Sequence, residues 1–249
     1  MIPLKDQEMI QQKFAGELIN QVKIDHFTER NLGLTVPGKA PCQYCKPTRE
    51  MLQELAGLSD DISIRVHYFE DNPEEKAKYG VERVPGTVLR GAGGRFVKFY
   101  GLPGGTEFAA FLESIIDLSR SEILLSEESV ASLQALTADV SVRVFVTPTC
   151  PYCPNMMRLA YQMAMVTPHI KAETIEINEF PDLADRYKVQ AVPLTVINDQ
   201  VAIPGMVQEA DLVKELMKAV GPAGTAPAEG KPPEKIERGK ERSSGLFIP

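Results

Sequence analysis

The stretch 147-TPTCPYCP-154 places Cys150 and Cys153 two residues apart and brackets them with prolines. The run VRVFVT (142–147) before it has the apolar, β-branched character of a strand. After it, a helical pattern runs from Cys150 towards Val166. A strand, a C-x-x-C pair and a helix in that order leave three chemical readings. The pair is a metal clamp, a structural disulfide or a redox centre.

The same pair occurs once more, as Cys42 and Cys45, and the chain has no other cysteine. Cys42 to Cys150 is a step of 108 residues, as are Cys45 to Cys153 and Tyr44 to Tyr152. Downstream, KYGVERVPGT (78–87) parallels RYKVQAVPLT (186–195) at the same step, with Tyr79, Val81, Pro85 and Thr87 matched by Tyr187, Val189, Pro193 and Thr195. Pro73 and Pro181 keep it too. So many coincident positions identify an internal duplication of a unit of about 100 residues.

Each unit carries the same series of elements. In unit I, Lys5–Asn20 has Ile10, Phe14 and Leu18 at helical spacing, and QVKIDHFTE (21–29) reads as a strand. A helix is expected from Cys42, then a strand at 62–69 and a short helix at 73–80 with proline at its start and glycine at its end. GTVLR and RFVKFY flank GAGG (91–94) as a hairpin, and 105–120 closes the unit as a helix. Unit II repeats this with a helix at 126–136 capped by Ser126 or Ser129, the strand and helix around CPYC, a strand at 172–178 and a short helix at 181–187. A hairpin across Asn198-Asp199 and a helix at 209–220 complete it. The units span 1–120 and 121–220. Residues 221–249 are rich in proline, glycine and charge and too poor in apolar residues to offset ordering entropy, so this tail is expected to be disordered.

Bulk composition excludes several function classes. The 249 residues carry a net charge of −7, which argues against general nucleic-acid binding, since that needs a basic surface. The N-terminus has no apolar core of a signal peptide, and no run approaches 18 apolar residues. A cytoplasmic location without membrane association is therefore expected. In a reducing compartment, C-x-x-C pairs are metal-binding or redox-active more often than permanently bridged.

The metal reading fits poorly. Two zinc knuckles are normally about 15–20 residues apart, whereas these stand a full unit apart, and His26, His67 and His169 form no ligand-spaced cluster. His26 and His67 lie in strand-like stretches and read as ordinary strand residues. The expected set is therefore no metal and no cofactor beyond redox-active disulfides.

The redox reading makes demands that the sequence meets. A cysteine at the first turn of a helix faces unpaired N–H groups and the positive end of the dipole, which favour thiolate. Cys150 is then the exposed attacker and Cys153, one turn deeper, resolves the mixed disulfide; Cys42 and Cys45 take the same roles. Val84-Pro85 and Val192-Pro193 each stand 40 residues beyond the second cysteine of their unit. A cis bond there would present backbone beside the sulfurs, where an extended substrate chain can pair. Tyr44 and Tyr152 within the motifs are candidates for substrate contact. Lys46 could favour thiolate, and Arg83 could reach substrate. The methionines of 156–165 read as core, and GAGG lacks the continuation of a phosphate loop.

With these residues in view, both units resemble thioredoxin/glutaredoxin-fold domains, and CPYC resembles the glutaredoxin active site. The whole resembles the protein disulfide oxidoreductases, or glutaredoxin-like proteins, of thermophilic archaea and bacteria. VFVTPTCPYCP (144–154), FYGLPGGTEFAAFLE (99–113), AVP (191–193) and EFPDLADRYKV (179–189) carry the resemblance, over about residues 5–220. It implies an α/β protein of two tandem thioredoxin folds, with a mixed sheet flanked by helices and continuous through both. It also implies reduction, oxidation or isomerisation of protein disulfides, with electrons from a thioredoxin-reductase-like flavoenzyme.

Two departures from that pattern stand out. RNLGLTVPGKAP (30–41) lengthens the connection before Cys42, so unit II is expected to carry most of the activity. The tail is the other. Position 144, six before Cys150, is valine, so a thioredoxin-type buried aspartate is absent there. Two alternatives remain: a dedicated electron shuttle to a peroxiredoxin, resembling the N-terminal domain of the alkyl hydroperoxide reductase flavoprotein, or a non-catalytic thioredoxin-fold binding module.

Overall fold

Alternating apolar runs and short helices fold here into one nine-stranded sheet with helices on both faces. The computed structural model describes residues 2–30, 41–220 and 234–235. Unit I comprises α1 (Leu4–Glu17), β1 (Val22–Thr28), α2 (Cys45–Ala56), β2 (Ile62–Tyr68), α3 (Pro73–Tyr79), β3 (Gly86–Arg90), β4 (Phe96–Tyr100) and α4 (Thr106–Arg120). Unit II repeats the series as α5 (Glu127–Gln134), β5 (Val140–Val146), α6 (Cys153–Val166), β6 (Ile170–Glu176), α7 (Pro181–Tyr187), β7 (Leu194–Ile197), β8 (Val201–Pro204) and α8 (Glu209–Val220). The strand order β2-β1-β3-β4 is followed in the same sheet by β6-β5-β7-β8. The two units are thus two tandem thioredoxin folds laid edge to edge, joined where β4 pairs in parallel with β6.

Local chemistry explains the elements. Pro73 and Pro181 open α3 and α7, where a missing N–H costs nothing. Both helices end in a left-handed residue, Gly80 at φ 59° and Lys188 at φ 50°. The Asn198-Asp199 hairpin has positive φ at both positions, as a type I′ turn requires. Ser126 caps α5 by accepting the Ser129 N–H.

Several boundaries differ from expectation, each for a visible reason. Helix α1 stops at Glu17 rather than reaching Asn20, because the Ser119 hydroxyl draws the Ile19 and Asn20 N–H groups out of the helix. Strand β6 ends at Glu176 rather than 178, because the Glu176 carboxylate captures the N–H groups of Asn178 and Glu179 and turns the chain. Both long helices begin at the second cysteine of the motif rather than the first. The insertion at 31–40 lies outside the described residues, as does the tail except for β9 (Glu234–Lys235). That two-residue strand pairs in parallel with β8, which the composition did not suggest.

Side chains alternate across the sheet, so each strand feeds two cores. Val22 and Ile24 of β1, Val142 and Val144 of β5, and Ile170 and Ala172 of β6 face α1, α2, α4, α5, α6 and α8. Phe27, Phe145 and Ile175 face α3 and α7. Phe111 of α4 is fully buried and meets Phe99 of β4 edge-on at 5.9 Å. Phe111→Ala is expected to lower stability by about 3–5 kcal/mol in urea denaturation, the usual cost of such a cavity.

Polar contacts stitch the units together. Lys98 and Arg143 share the buried Glu173 carboxylate, and Tyr161 donates to the Lys98 carbonyl at 2.7 Å. Arg158 of α6 binds Asp117 of α4 at 2.8 Å. Arg83 is held by Asp182 of the other unit at 2.7 Å, so it serves the junction rather than standing as a free charge.

Candidate redox site

Strands β1 and β5 run parallel and end on the same edge of the sheet, so the two cysteine pairs open in the same direction. Strands β3, β4 and β6 lie between them. Four strand intervals amount to about 19 Å, which rules out direct exchange between the pairs in this arrangement. Cys42–Cys45 and Cys150–Cys153 each form a disulfide, with Cα atoms 5.5 Å apart.

The first cysteine sits in the turn before the helix, not in its first turn. An N–H still faces the sulfur after that shift: the Cys153 N–H at the head of α6 points at Cys150 Sγ from 3.2 Å. Exposure differs from expectation. Cys150 is only 7% exposed, while Cys42 is half-buried, and Cys45 and Cys153 are buried. Cys150 is therefore almost covered rather than lying open. Beside Cys42, the Glu29 carboxylate accepts the Cys42 N–H at 3.0 Å. A negative group there opposes a Cys42 thiolate. Lys46 is exposed and faces Glu50 at 3.8 Å, too solvated to offset it strongly.

Val84-Pro85 and Val192-Pro193 are both cis. The valines are partly buried and the prolines buried. Each proline carbonyl is taken by a glycine of the following strand end, Gly101 to Pro85 and Gly205 to Pro193, at 2.9 and 2.8 Å. Tyr44 and Tyr152 stand 40% and 56% exposed at the helix starts.

A buried carboxyl group with no signal in the sequence sits on the helix that docks against the CPYC loop. The start of α4 is fastened to the Cys150 loop: the Thr106 N–H donates to the Pro148 carbonyl and its hydroxyl to the Cys150 carbonyl, both at 2.9 Å. Gly105 has φ 56°, and a Cβ there would collide with Pro148. Glu107, next along, is 0% exposed, and neither carboxyl oxygen has a hydrogen-bond partner among the described residues. Burial, reinforced by the neighbouring Glu176, raises its pKa to about 8. Glu176, near the end of β6, projects on the same sheet face as Ile170 and Ala172, towards α6. In sequence, Glu107 looks like an ordinary acid in the first turn of a helix. Only the docking of unit II buries it.

Unit I has a buried imidazole where unit II has Val144. His26 occupies in β1 the register that Val144 holds in β5, opposite Thr87 as Val144 is opposite Thr195. It is fully buried, with Nδ1 3.3 Å from the Thr87 hydroxyl, and burial followed by Arg49 lowers its pKa to about 3. A neutral imidazole of that kind accepts a thiol proton poorly. His67 faces the other way, 2.8 Å from Asp25, and is structural there. Among the described residues no group of three metal-ligating side chains occurs.

Comparison with known proteins agrees with this geometry. A family model described as thioredoxin domain matches residues 34–113 and again 140–218. The crystal structure of a protein disulfide oxidoreductase from Aeropyrum pernix is 28% identical, with a TM-score of 0.75 over 87% of this chain and 92% of that one. The NTD_N/C domain of alkylhydroperoxide reductase AhpF from Enterococcus faecalis, 23% identical, superposes with a TM-score of 0.76 over 87% of this chain and all of that one. An alkyl hydroperoxide reductase protein of Xanthomonas campestris pv. phaseoli is 24% identical over 167 residues, which are 67% of this chain but only 30% of that protein. This chain thus corresponds to less than a third of that relative. With the family model matched twice, once around each cysteine pair, the chain belongs to the thioredoxin domain family.

Proposed function

We propose that this protein is a thiol–disulfide oxidoreductase acting on protein disulfides, with most of its turnover at CPYC. The observation that carries this reading is the Cys150–Cys153 disulfide at the head of α6, with an N–H aimed at Cys150 Sγ. In the reduced form Cys150 is the attacking thiolate. It bonds to one sulfur of a substrate disulfide, and the other sulfur leaves as a thiolate that takes a proton. Cys153 gives its proton to Glu107 in its carboxylate form and attacks Cys150 Sγ. The second substrate thiolate leaves and is protonated in turn. Two electrons pass from the cysteine pair to the substrate, and a dithiol or a thioredoxin-reductase-like flavoenzyme restores the pair. The pKa of Glu107, about 8, is close to that of an ordinary thiol, so proton transfer between them is nearly balanced.

Val192 and Pro193, with Tyr152, form the substrate-facing rim of this site, and Val84, Pro85 and Tyr44 form that of the CQYC site. Tyr152→Ala is expected to raise KM for a protein disulfide a few-fold with kcat nearly unchanged, measured by steady-state insulin reduction. The functional units run 1–120 and 121–220, with 221–249 a tail. No described helix is long and apolar enough to cross a membrane, and a cytoplasmic location accords with paired reactive thiols.

A second reading, an electron shuttle from a flavoprotein to a peroxiredoxin, draws support from the likeness to alkyl hydroperoxide reductase. Reduction of insulin driven by dithiothreitol separates the two. General activity on insulin supports the oxidoreductase. Inertness towards insulin, with rapid reduction of a peroxiredoxin, supports the shuttle.

A further inference from the structure

The stretch 246-LFIP-249 stands apart from residues 221–245, which hold prolines, glycines, charges and few large apolar side chains. Strand β9 sets where that stretch can go. Glu234 and Lys235 pair in parallel with Val201 and Ala202 of β8. Strand β8 runs antiparallel to β7, with Pro204 opposite Leu194, the residue after the cis Val192-Pro193 bond. Leu194 in turn lies opposite Phe145, near the end of β5 that leads to Cys150. A chain leaving β9 in the same direction therefore heads for the sheet edge where the CPYC pair opens. The eleven steps from Lys235 to Leu246 span up to about 36 Å. Strand β9 stands three intervals from β5, about 14 Å, and seven from β1, about 33 Å. LFIP thus reaches CPYC with slack, whereas it reaches CQYC only when almost fully extended.

The surface at that edge is apolar and carries no charge. Tyr152, just before α6, is 56% exposed, and Met206, just beyond β8, is 37% exposed. The Asn155 side-chain amide donates to Met206 Sδ at 3.7 Å, and the Val207 N–H donates to Met156 Sδ at 3.4 Å. These contacts fasten the 205–208 loop to the first turn of α6, and the Gly205 N–H ties the same loop to the Pro193 carbonyl. The segments 101–106, 147–152, 190–193 and 205–208, which belong to this edge, contain no charged residue. Around CQYC the matching positions are charged. Glu82 and Arg83 stand where unit II has Gln190 and Ala191, and Lys46 follows Cys45 where Pro154 follows Cys153. An exposed aromatic ring and a thioether in uncharged surroundings suit an apolar partner and offer a charged one nothing to pair with.

We propose that 246-LFIP-249 docks on the Tyr152–Met206 surface of its own chain and competes there with the protein substrate of CPYC. Leu246, Phe247 and Ile248 supply the apolar surface that the contact removes from water. Strand β9 is the tether. It keeps the segment at an effective concentration of about millimolar, so a contact too weak to form between separate molecules is populated within one. The docked segment screens Cys150, and a substrate chain must displace it. The inference rests on the functional reading above for the identity of the competitor. It adds regulation of that site and no chemical step.

The test compares the full-length protein with its Leu246→Ser/Phe247→Ser/Ile248→Ser variant. Both are reduced, and alkylation of each cysteine by iodoacetamide is followed by mass spectrometry of peptides. Docking predicts that Cys150 reacts about threefold faster in the variant, by the same factor at about 1 and 100 µM protein, with Cys42 unchanged as internal reference. Met206→Ser should speed Cys150 alkylation in the wild-type background and add nothing in the triple variant, because both changes remove one contact. In insulin reduction the triple variant should show a KM about threefold lower with kcat unchanged. Equal Cys150 alkylation rates in wild type and triple variant would overturn the docking and leave the oxidoreductase reading intact. Protection that disappears on dilution would overturn it too, since the segment would then come from a second copy. A wild type inert towards insulin, with Cys150 still alkylated faster in the variant, would remove the functional reading and leave the docking in place.

Discussion

Cys150→Ser reduces dithiothreitol-driven insulin reduction by more than about 100-fold, while Cys42→Ser keeps at least half of the wild-type rate. The difference arises from the surroundings, because the two motifs are nearly alike. At Cys150 an amide N–H at the head of α6 points at the sulfur. At Cys42 the nearest described polar partner of the backbone is a carboxylate, Glu29. The first arrangement lowers the cost of a thiolate and the second raises it. Unit II also has Glu107, a buried acid on the helix fastened to its cysteine loop, which we propose exchanges a proton with Cys153. Unit I has instead a buried imidazole whose pKa of about 3 mismatches a thiol. The greater exposure of Cys42 works in the opposite direction. If Cys42→Ser is the variant that loses activity, access outweighs electrostatics and unit I leads.

Glu107→Gln produces two opposite effects, slowing disulfide exchange by about 10- to 100-fold and stabilising the fold at alkaline pH. The sign follows from the raised pKa. An acid held at about 8 in the native state, against an ordinary 4.5 unfolded, binds more proton when folded across that window. Stability therefore falls as pH rises from 4.5 to 8, and above 8 the whole penalty is present. A shift of that size corresponds to about 3–5 kcal/mol, part of it shared with Glu176. Glutamine does not ionise and escapes the penalty. Urea denaturation at pH 9 should show the variant more stable than wild type, and at pH 4 the advantage should vanish. A variant that is slower but no more stable at pH 9 would mean that Glu107 is not buried as an acid.

Most of the architecture was readable from the sequence because duplication writes it twice. Tyr79 and Tyr187, Pro73 and Pro181, and the two Val-Pro pairs fix equivalent elements, and both Val-Pro bonds are cis. What escaped the sequence was long-range. The start of α6 at Cys153 depends on how the turn 150–152 closes onto that sulfur. The end of α1 depends on Ser119, about a hundred residues away. Glu107 lies within a stretch that carries the family resemblance, yet nothing local marks it, because its burial is made by the other unit. Arg83 is likewise explained by Asp182 across the junction. The junction itself, β4 beside β6, is a register between distant strands that local patterning cannot specify.

At the centre of the proposed mechanism, Cys150 bonds covalently to a substrate sulfur and Cys153 releases it. The most direct measurement is to mix reduced Cys153→Ser protein with a disulfide-containing protein substrate, quench with acid, and locate the adduct by mass spectrometry of peptides. The expected result is a mixed disulfide at Cys150 as the dominant adduct, reversed by dithiothreitol and missing from a Cys150→Ser/Cys153→Ser control. An adduct only at Cys42, or none at all under conditions where dithiothreitol itself reduces the substrate slowly, would contradict it.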